Sequence, residues 1–365
     1  MTGQLTAASM CSGYGGLDMA VAAVLDTRLL WVADNDDDAA RVLAHRFPRV
    51  PNLGDLTGID WGTVPAPDVL TAGFPCQDLS YAGRGAGIKE GTRSGLWHTI
   101  ATAVATLRPR LLVLENVRAI VTRRPGLDVV LADLASLGFD ANWTCLPACD
   151  VGAAHERWRW FCLAWPAADA TCVGTGEPAD QAHPFPACGQ ARALPGSGGV
   201  RAAAHAHREF LWQQSERQPR RNGASLPESS GLQRSSAADA DDAQWSGQQG
   251  EQPRRPAPAG GSGSDIDWGP YAPAVVRWEA TCGRAAPWPV EPGRRGKPRL
   301  SPRFSEWLMG LPAGWVTDVP GISRNGQLRL LGNGVLPRQG AVAVADLLPD
   351  HLMPFTLGSR EEIAA

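Results

Sequence analysis

The stretch LTAASMCSGYGGLDMAVAAVLDTRLLWVAD (5–34) carries the first four signals of a fold. An apolar run at 5–11 breaks into the close glycines Gly13, Gly15 and Gly16, and a helical pattern follows at 17–25. A second apolar run, 29–33, ends in Asp34. Short strands alternating with helices argue for a mostly parallel sheet with helices on both faces. Glycines at a strand-to-helix turn let a cofactor approach the backbone beside a helix N-terminus, although a plain turn has the same appearance. The spacing is not the dinucleotide fingerprint. Asp34 stands twenty-one residues beyond Gly13, where an acid suits the two hydroxyls of a ribose. The neighbouring acids 36–38 read better as a solvated helix N-terminus.

The alternation continues to about residue 165, with apolar runs at 68–74 and 111–114 and helical patterns at 37–47, 96–107 and 127–137. ANWTCL (141–146) and RWRWFCLAW (157–165) are strand-like and separated by only ten residues. That is short for a parallel crossover and predicts an antiparallel pair at one edge. The expected fold is therefore α/β, a Rossmann-like mixed sheet with one antiparallel strand. Asp55 is expected where a third strand ends, as an acceptor for an adenine amino group or as a turn residue.

Composition changes from about residue 166. Residues 190–264 are dominated by Gly, Ser, Gln, Pro, Ala and Arg, and are expected to be disordered because they bury little apolar surface. Order is expected again near Asp265. WGPYAPAVVRWE (268–279) is aromatic and periodic, SPRFSEWLMGLP (301–312) reads as a helix with proline in its first turn, and GAVAVADLLPDHL (340–352) reads as a helix ending near Pro349.

A chain of 365 residues holds one large or two smaller domains. Its net charge of -3 gives no global nucleic-acid signature, so a polyanion surface has to come from local clustering. Residues 284–303 supply one: Arg284, Arg294, Arg295, Lys297, Arg299 and Arg303 face the single acid Glu291. No apolar run approaches the roughly 18 residues that span a bilayer. The N-terminus lacks a charged segment followed by an apolar one, so a cytoplasmic protein is expected. The eight cysteines are irregularly spaced, which suits reduced thiols, and no second tight pair joins Cys145 and Cys149 to complete a metal-ligand set. No metal is expected.

The chemistry concentrates in DVLTAGFPCQDLS (68–80). An apolar strand delivers Cys76 at its carboxyl end, behind a proline and ahead of a loop (77–95) containing five glycines. A free cysteine is usually a small buried hydrophobe, but open α/β sheets bind their ligands at this edge, which is a nucleophile's position. LLVLENV (111–117) brings Glu115 to the same edge, and an acid finishing a buried strand is costly unless it is paired or works. If the strand at 157–165 runs antiparallel, Arg157 and Arg159 begin at that edge too, on one face.

These residues, in this order and spacing, resemble the C5-cytosine-specific DNA methyltransferase family of bacterial and phage type. The likeness rests on SGYGG (12–16), Asp34, Asp55, GFPCQ (73–77), ENV (115–117), the Arg-x-Arg at 157–159 and LGNGV (331–335), covering about 1–165 and 301–345. Three positions depart from the family pattern: Cys11 and Asn35 replace aromatics, and His155 replaces a glutamine. The resemblance implies an S-adenosylmethionine-dependent methyltransferase domain (1–165 and 304–355) and a target-recognition region (166–303). It implies that S-adenosyl-L-methionine is held by Ser12, Gly13, Tyr14, Gly15, Gly16, Asp34, Asn35, Asp55, Leu56, Gly73, Pro75, Leu96 and Asn333. Cys76 would attack C6 of a cytosine flipped out of double-stranded DNA. Glu115 would bind N3 and the exocyclic amine, Arg159 the base O2, and Arg157 would support Glu115 or the thiolate. Gln77, Ser80, Arg84, Lys89, Arg93, Arg294, Arg295 and Lys297 are the implied DNA contacts, and the last helix is expected beside the first. A monomer is expected, with a cognate restriction endonuclease as a candidate partner. Competing readings are the same chemistry on tRNA, a catalytically idle DNA-binding protein, and a nicotinamide-dependent dehydrogenase. The long insert speaks against the first, the intact Cys76, Glu115 and Arg159 against the second, and GFPCQ with ENV against the third.

Overall fold

A computed structural model describes residues 4–74, 96–122, 126–167, 266–293 and 296–355. The expectation of disorder for 190–264 lies outside the described residues. Six strands form one sheet: β1 (Leu5–Met10), β2 (Thr27–Ala33), β3 (Val69–Gly73), β4 (Leu111–Val117), β5 (Phe139–Leu146) and β6 (Arg159–Pro166). Their order is β2-β1-β3-β4-β6-β5. The first four are parallel, whereas β6 is antiparallel to both β4 and β5. One reversed strand in an otherwise parallel sheet matches the sequence reading. Strand order turns back between β1 and β3, and such a switch point opens a crevice at the carboxyl ends.

Side chains alternate across the sheet and divide the core in two. Leu70, Leu112, Leu114, Trp160 and Cys162 pack on one face with α3 (Leu96–Leu107) and α5 (Leu127–Ser136), which follows the short α4 (Ala119–Thr122). Val69, Leu111, Val113, Phe161 and Leu163 pack on the other, under α1 (Gly16–Val24) and a C-terminal helix, Pro337–Leu347. That last helix lies beside α1 as expected. Gly340 faces Ala20, where an added Cβ would lie 2.7 Å from the alanine methyl carbon, so the close approach requires glycine.

The remaining elements are α2 (Asp37–Arg46), α6 (Ala272–Cys282), the strands β7 (Val290–Pro292) and β8 (Pro298–Leu300), α7 (Pro302–Leu308), α8 (Arg324–Asn333) and α9, the Pro337–Leu347 helix. A third core cluster unites Ala39 and Val42 of α2, Trp278 of α6, Phe304 and Trp307 of α7, and Leu330 and Leu331 of α8. The aromatic run at 268 thus becomes a helix, closed by Gly283 in the left-handed region (φ 63). The helix expected over 301–312 is shorter. Ser301 caps it, Pro302 opens it, and Gly310 (φ 64) marks the chain's departure. One expectation is overturned. No strand ends at Asp55: Asn52 makes a single bridge to Val32, and Asp55 caps a 3-10 turn, Leu56–Gly58, accepting from Thr57 N at 2.9 Å. Its side chain satisfies that turn's amide, as Asp does wherever a local donor competes with a ladder. Among the described residues no helix is long and apolar enough to cross a membrane.

Candidate active site

The glycine turn joins β1 to α1. Cys11 has φ 52, Gly13 φ 56 and Gly15 φ 83, so the chain leaves β1 through the left-handed region. Asp34, at the end of β2, braces this turn: its Oδ2 accepts from Gly13 N at 2.8 Å and its Oδ1 from Asp36 N at 2.9 Å. Burial raises its pKa, opposed by those amide bonds. Each carboxylate oxygen retains a second lone pair. Ser12 Oγ is buried and has no hydrogen-bond partner among the described residues. A Cβ on Gly13 would meet no atom within 4 Å. An orphaned hydroxyl, a half-buried carboxylate and open space over a glycine fit a polar, ribose-bearing cofactor.

Asn35 and Asp55 are exposed neighbours, with Asn35 Nδ2 donating to Asp55 Oδ2 at 3.4 Å. Leu56 is buried in the core beneath them, and Leu96 opens α3 against the same cluster. Tyr14 is wholly buried and donates from its hydroxyl to the carbonyl of Val335 at 2.7 Å. Gly16 and Gly334 permit this contact. A Cβ on Gly16 would lie 2.3 Å from Val335 O, and one on Gly334 1.9 Å from the Tyr14 ring. The LGNGV segment is therefore locked against the glycine turn, with Asn333 exposed at the end of α8.

At the carboxyl end of β4, Glu115 is buried and paired with Arg159, Nε to Oε1 2.9 Å. Burial raises the Glu115 pKa, while the charges of Arg159 and Arg157 restrain the rise. Asn116 Nδ2 donates to Phe74 O at 3.1 Å, fastening β4 to the end of β3. A Cβ on Gly73 would lie 3.5 Å from Glu115 Oε2, so the acid lies against the backbone that leads into Pro75 and Cys76. Pro75, Cys76, Gln77, Ser80, Arg84, Lys89 and Arg93 lie outside the described residues, as do Arg294 and Arg295. Lys297 is exposed in the β7–β8 turn, where its carbonyl accepts from Gly293 N at 2.8 Å.

Arg157, expected to support Glu115 or the thiolate, is hydrogen-bonded elsewhere. Its Nη2 donates to the carbonyls of Gly332 and Gly334, at 2.6 and 2.7 Å, and it acts on Glu115 through its field. It lies two residues before β6 begins, so the strand's alternation does not govern it. His155 reaches α7, Nε2 3.0 Å from Leu308 O, and burial lowers its pKa to about 4.

Sequence reasoning gave no role to several buried polar groups, Gln339 and Asp18 among them. Gln339 Nε2 donates to the carbonyls of Leu146 and Arg157, at 2.7 and 2.9 Å, securing the entry to β6. Asp18 lies under the sheet, accepting from Ser9 Oγ at 2.9 Å and Thr71 Oγ1 at 2.7 Å, with its pKa raised by burial. A carboxylate on the apolar face of GLDMAVAAV was the available signal.

The family model for C-5 cytosine-specific DNA methylase matches residues 5–345. The chain is similar to the Type II methyltransferase M.NgoBI of Neisseria gonorrhoeae, 35% identical over 150 residues, which are 40% of this chain and 46% of that protein. It is similar to the Type II methyltransferase M.MspI of Moraxella sp, 30% identical over 156 residues, covering 42% and 37%. The chain thus spans less than half the length of these curated relatives. In fold it is similar to the S. pombe Dnmt2 methyltransferase, with a TM-score of 0.51 at 13% identity, over 96% of this chain and 99% of that one.

Proposed function

The chain belongs to the C-5 cytosine-specific DNA methylase family, and from that premise we propose that it methylates C5 of a cytosine within a specific duplex sequence. The observation that carries this reading is the buried Glu115–Arg159 pair beside Gly73, three residues ahead of Cys76.

Cytosine C5 is a weak nucleophile while the ring is aromatic. Cys76 thiolate adds to C6, forming an S–C6 bond, and the displaced electron pair makes C5 nucleophilic as N3 takes a proton. Glu115 supplies that proton, for which its raised pKa suits it, and binds the exocyclic amine. Arg159 is fixed by Glu115 and by its own bond to Trp158 O (3.0 Å), which leaves the rest of its guanidinium for the base O2. Arg157 adds positive field from its seat on Gly332 and Gly334, favouring a thiolate over a thiol. When bound, S-adenosylmethionine supplies an electrophilic methyl group. Asp34 would hold its ribose hydroxyls, Asp55 its adenine amine, and Ser12 with Gly13 its polar groups at the turn. Once C5 carries the methyl group, its proton passes to a solvent water, N3 returns its proton to Glu115 and Cys76 leaves as the thiolate, which restores the aromatic ring.

The target atoms are stacked inside a duplex, so the base is extruded, at roughly a few kcal/mol. The region 166–303 is assigned to target recognition because its basic cluster offers phosphate and base contacts. Double-stranded DNA is the proposed substrate. A cognate restriction endonuclease is the proposed partner, since the relatives are named Type II methyltransferases.

The test is covalent trapping. Duplexes carrying 5-fluorocytosine retain fluorine where a proton should leave, so the enzyme should remain attached in the presence of cofactor. Cys76→Ala should give no adduct; an adduct in that variant refutes the assignment of the nucleophile.

A further inference from the structure

Helix α8 approaches the amino end of α2 through Arg329. Its guanidinium makes a two-pronged contact with the Asp36 carboxylate, Nη1 to Oδ2 and Nη2 to Oδ1 (3.0 Å), and Nη2 also meets Asp38 Oδ2 at 2.9 Å. Asp36 is the N-cap of α2, accepting from the amides of Asp38 and Ala39, each at 3.0 Å. Its own amide donates to Asp34 Oδ1 at 2.9 Å, and Asp34 Oδ2 takes the amide of Gly13. One continuous chain of contacts therefore runs from α8 to the glycine turn.

Holding α8 against α2 does not by itself require Arg329. Ala39 and Val42 share a core cluster with Leu330 and Leu331. Gly326 sits where a Cβ would lie 2.3 Å from Asp38 Oδ2, and Arg46 bonds the carbonyls of Trp315 and Gly314. The guanidinium instead faces two acids that stand next to a third, half-buried one. Asp34 and Asp36 repel each other, and Arg329 is the cation whose field opposes that repulsion. A bidentate guanidinium also fixes direction, which an isolated charge does not.

We propose that Arg329 is a positioning residue for Asp34, acting through Asp36, so that cofactor affinity depends on how the segment carrying α8 is seated. This rests on the reading of Asp34 as the ribose acceptor. Removing Arg329 leaves two facing carboxylates to relax apart. The Asp36 amide then loses its aim at Asp34 Oδ1, and the ribose acceptor loses one of its two braces.

The experiment is calorimetric titration of the full chain with S-adenosylhomocysteine, alongside thermal melting and duplex binding. Arg329→Ala should weaken S-adenosylhomocysteine binding about tenfold, a coupling usual between residues of one hydrogen-bond and salt-bridge network. Arg329→Lys should recover part of the loss through a single contact with Asp36, and duplex affinity should stay unchanged in both variants. If Arg329→Ala does not fold, Arg329→Gln takes its place, with the same expected loss. Unchanged affinity in the alanine or glutamine variant, while Asp34→Ala weakens binding, overturns the role of Arg329 and spares that of Asp34. Unchanged affinity in Asp34→Ala overturns the ribose reading itself. A fall in melting temperature without a change in affinity marks Arg329 as a structural ion pair and refutes the proposal.

Discussion

Arg159 Nε and Glu115 Oε1 stand 2.9 Å apart on side chains that are 13% and 7% exposed, so the pair is largely screened from water. The β4–β6 ladder sets it: Val117 faces Arg159 and Glu115 faces Phe161, which puts all four side chains on one surface of the sheet. An acid near the end of β4 and an arginine at the start of its antiparallel neighbour meet without any loop having to position them.

Glu115→Gln keeps the shape and one acceptor but cannot deliver a proton to N3. Single-turnover methylation should slow by about 10²–10⁴-fold, the usual contribution of a positioned acid, with S-adenosylhomocysteine affinity retained. A rate within about threefold of the parent, against that expected range, would remove Glu115 from the chemistry.

His155→Gln should change how stability depends on pH. Burial, with the fields of Arg157 and Arg159, lowers the His155 pKa from 6.5 to about 4. A histidine depressed in the folded state contributes its stability above the unfolded pKa and loses it as the pH falls through the folded one. The parent should therefore lose up to roughly 3 kcal/mol more than the variant between pH 7 and pH 4. Glutamine can still donate to Leu308 O. Denaturant titrations of both proteins across that interval give the difference; parallel curves would show that His155 does not report on this burial.

Replacing residues 195–260 with a short Gly/Ser linker should leave the methylated sequence unchanged, even if activity falls. Specific readout needs side chains held rigidly, and one bidentate Arg–guanine contact supplies about 1–3 kcal/mol of discrimination. Residues 268–303 combine a helix with a basic cluster, whereas 195–260 is polar and broken by proline. Bisulfite sequencing of DNA from expressing cells reads the outcome. A new or relaxed target would transfer recognition to the polar stretch.

The sheet was legible because its strands are short apolar runs between glycines and prolines, and the reversal of β6 followed from a connection too short for a crossover. Helix α3 falls on 96–107, where the pattern placed it. Helix α8 was not legible. RNGQLRLLGN carries two glycines and two asparagines, poor helix formers, and its stability comes from the Ser323 cap and from packing on α2. The strands β7 and β8 have three residues each, too few to show a period. At the site, the meeting of Glu115 with Arg159 could be inferred from strand direction. The partners of Arg157 could not, because Gly332 and Gly334 are brought to it by a segment far along the chain.

The double pairing of β6 divides its residues by parity. Odd-numbered residues of this strand, Phe161 and Leu163, face α1 and α9, and even-numbered ones, Trp160 and Cys162, face α3 and α5. Arg159 meets Glu115 because both are odd. One residue gained or lost between Leu146 and Arg159 must be absorbed in the connection, or every side chain of β6 changes sides. Tryptophan would then stand beside Glu115 and the arginine would point into the opposite core. Ladders on both flanks hold the strand against that slip, so the intervening loop is free to vary in sequence but not to pass its length on to the strand.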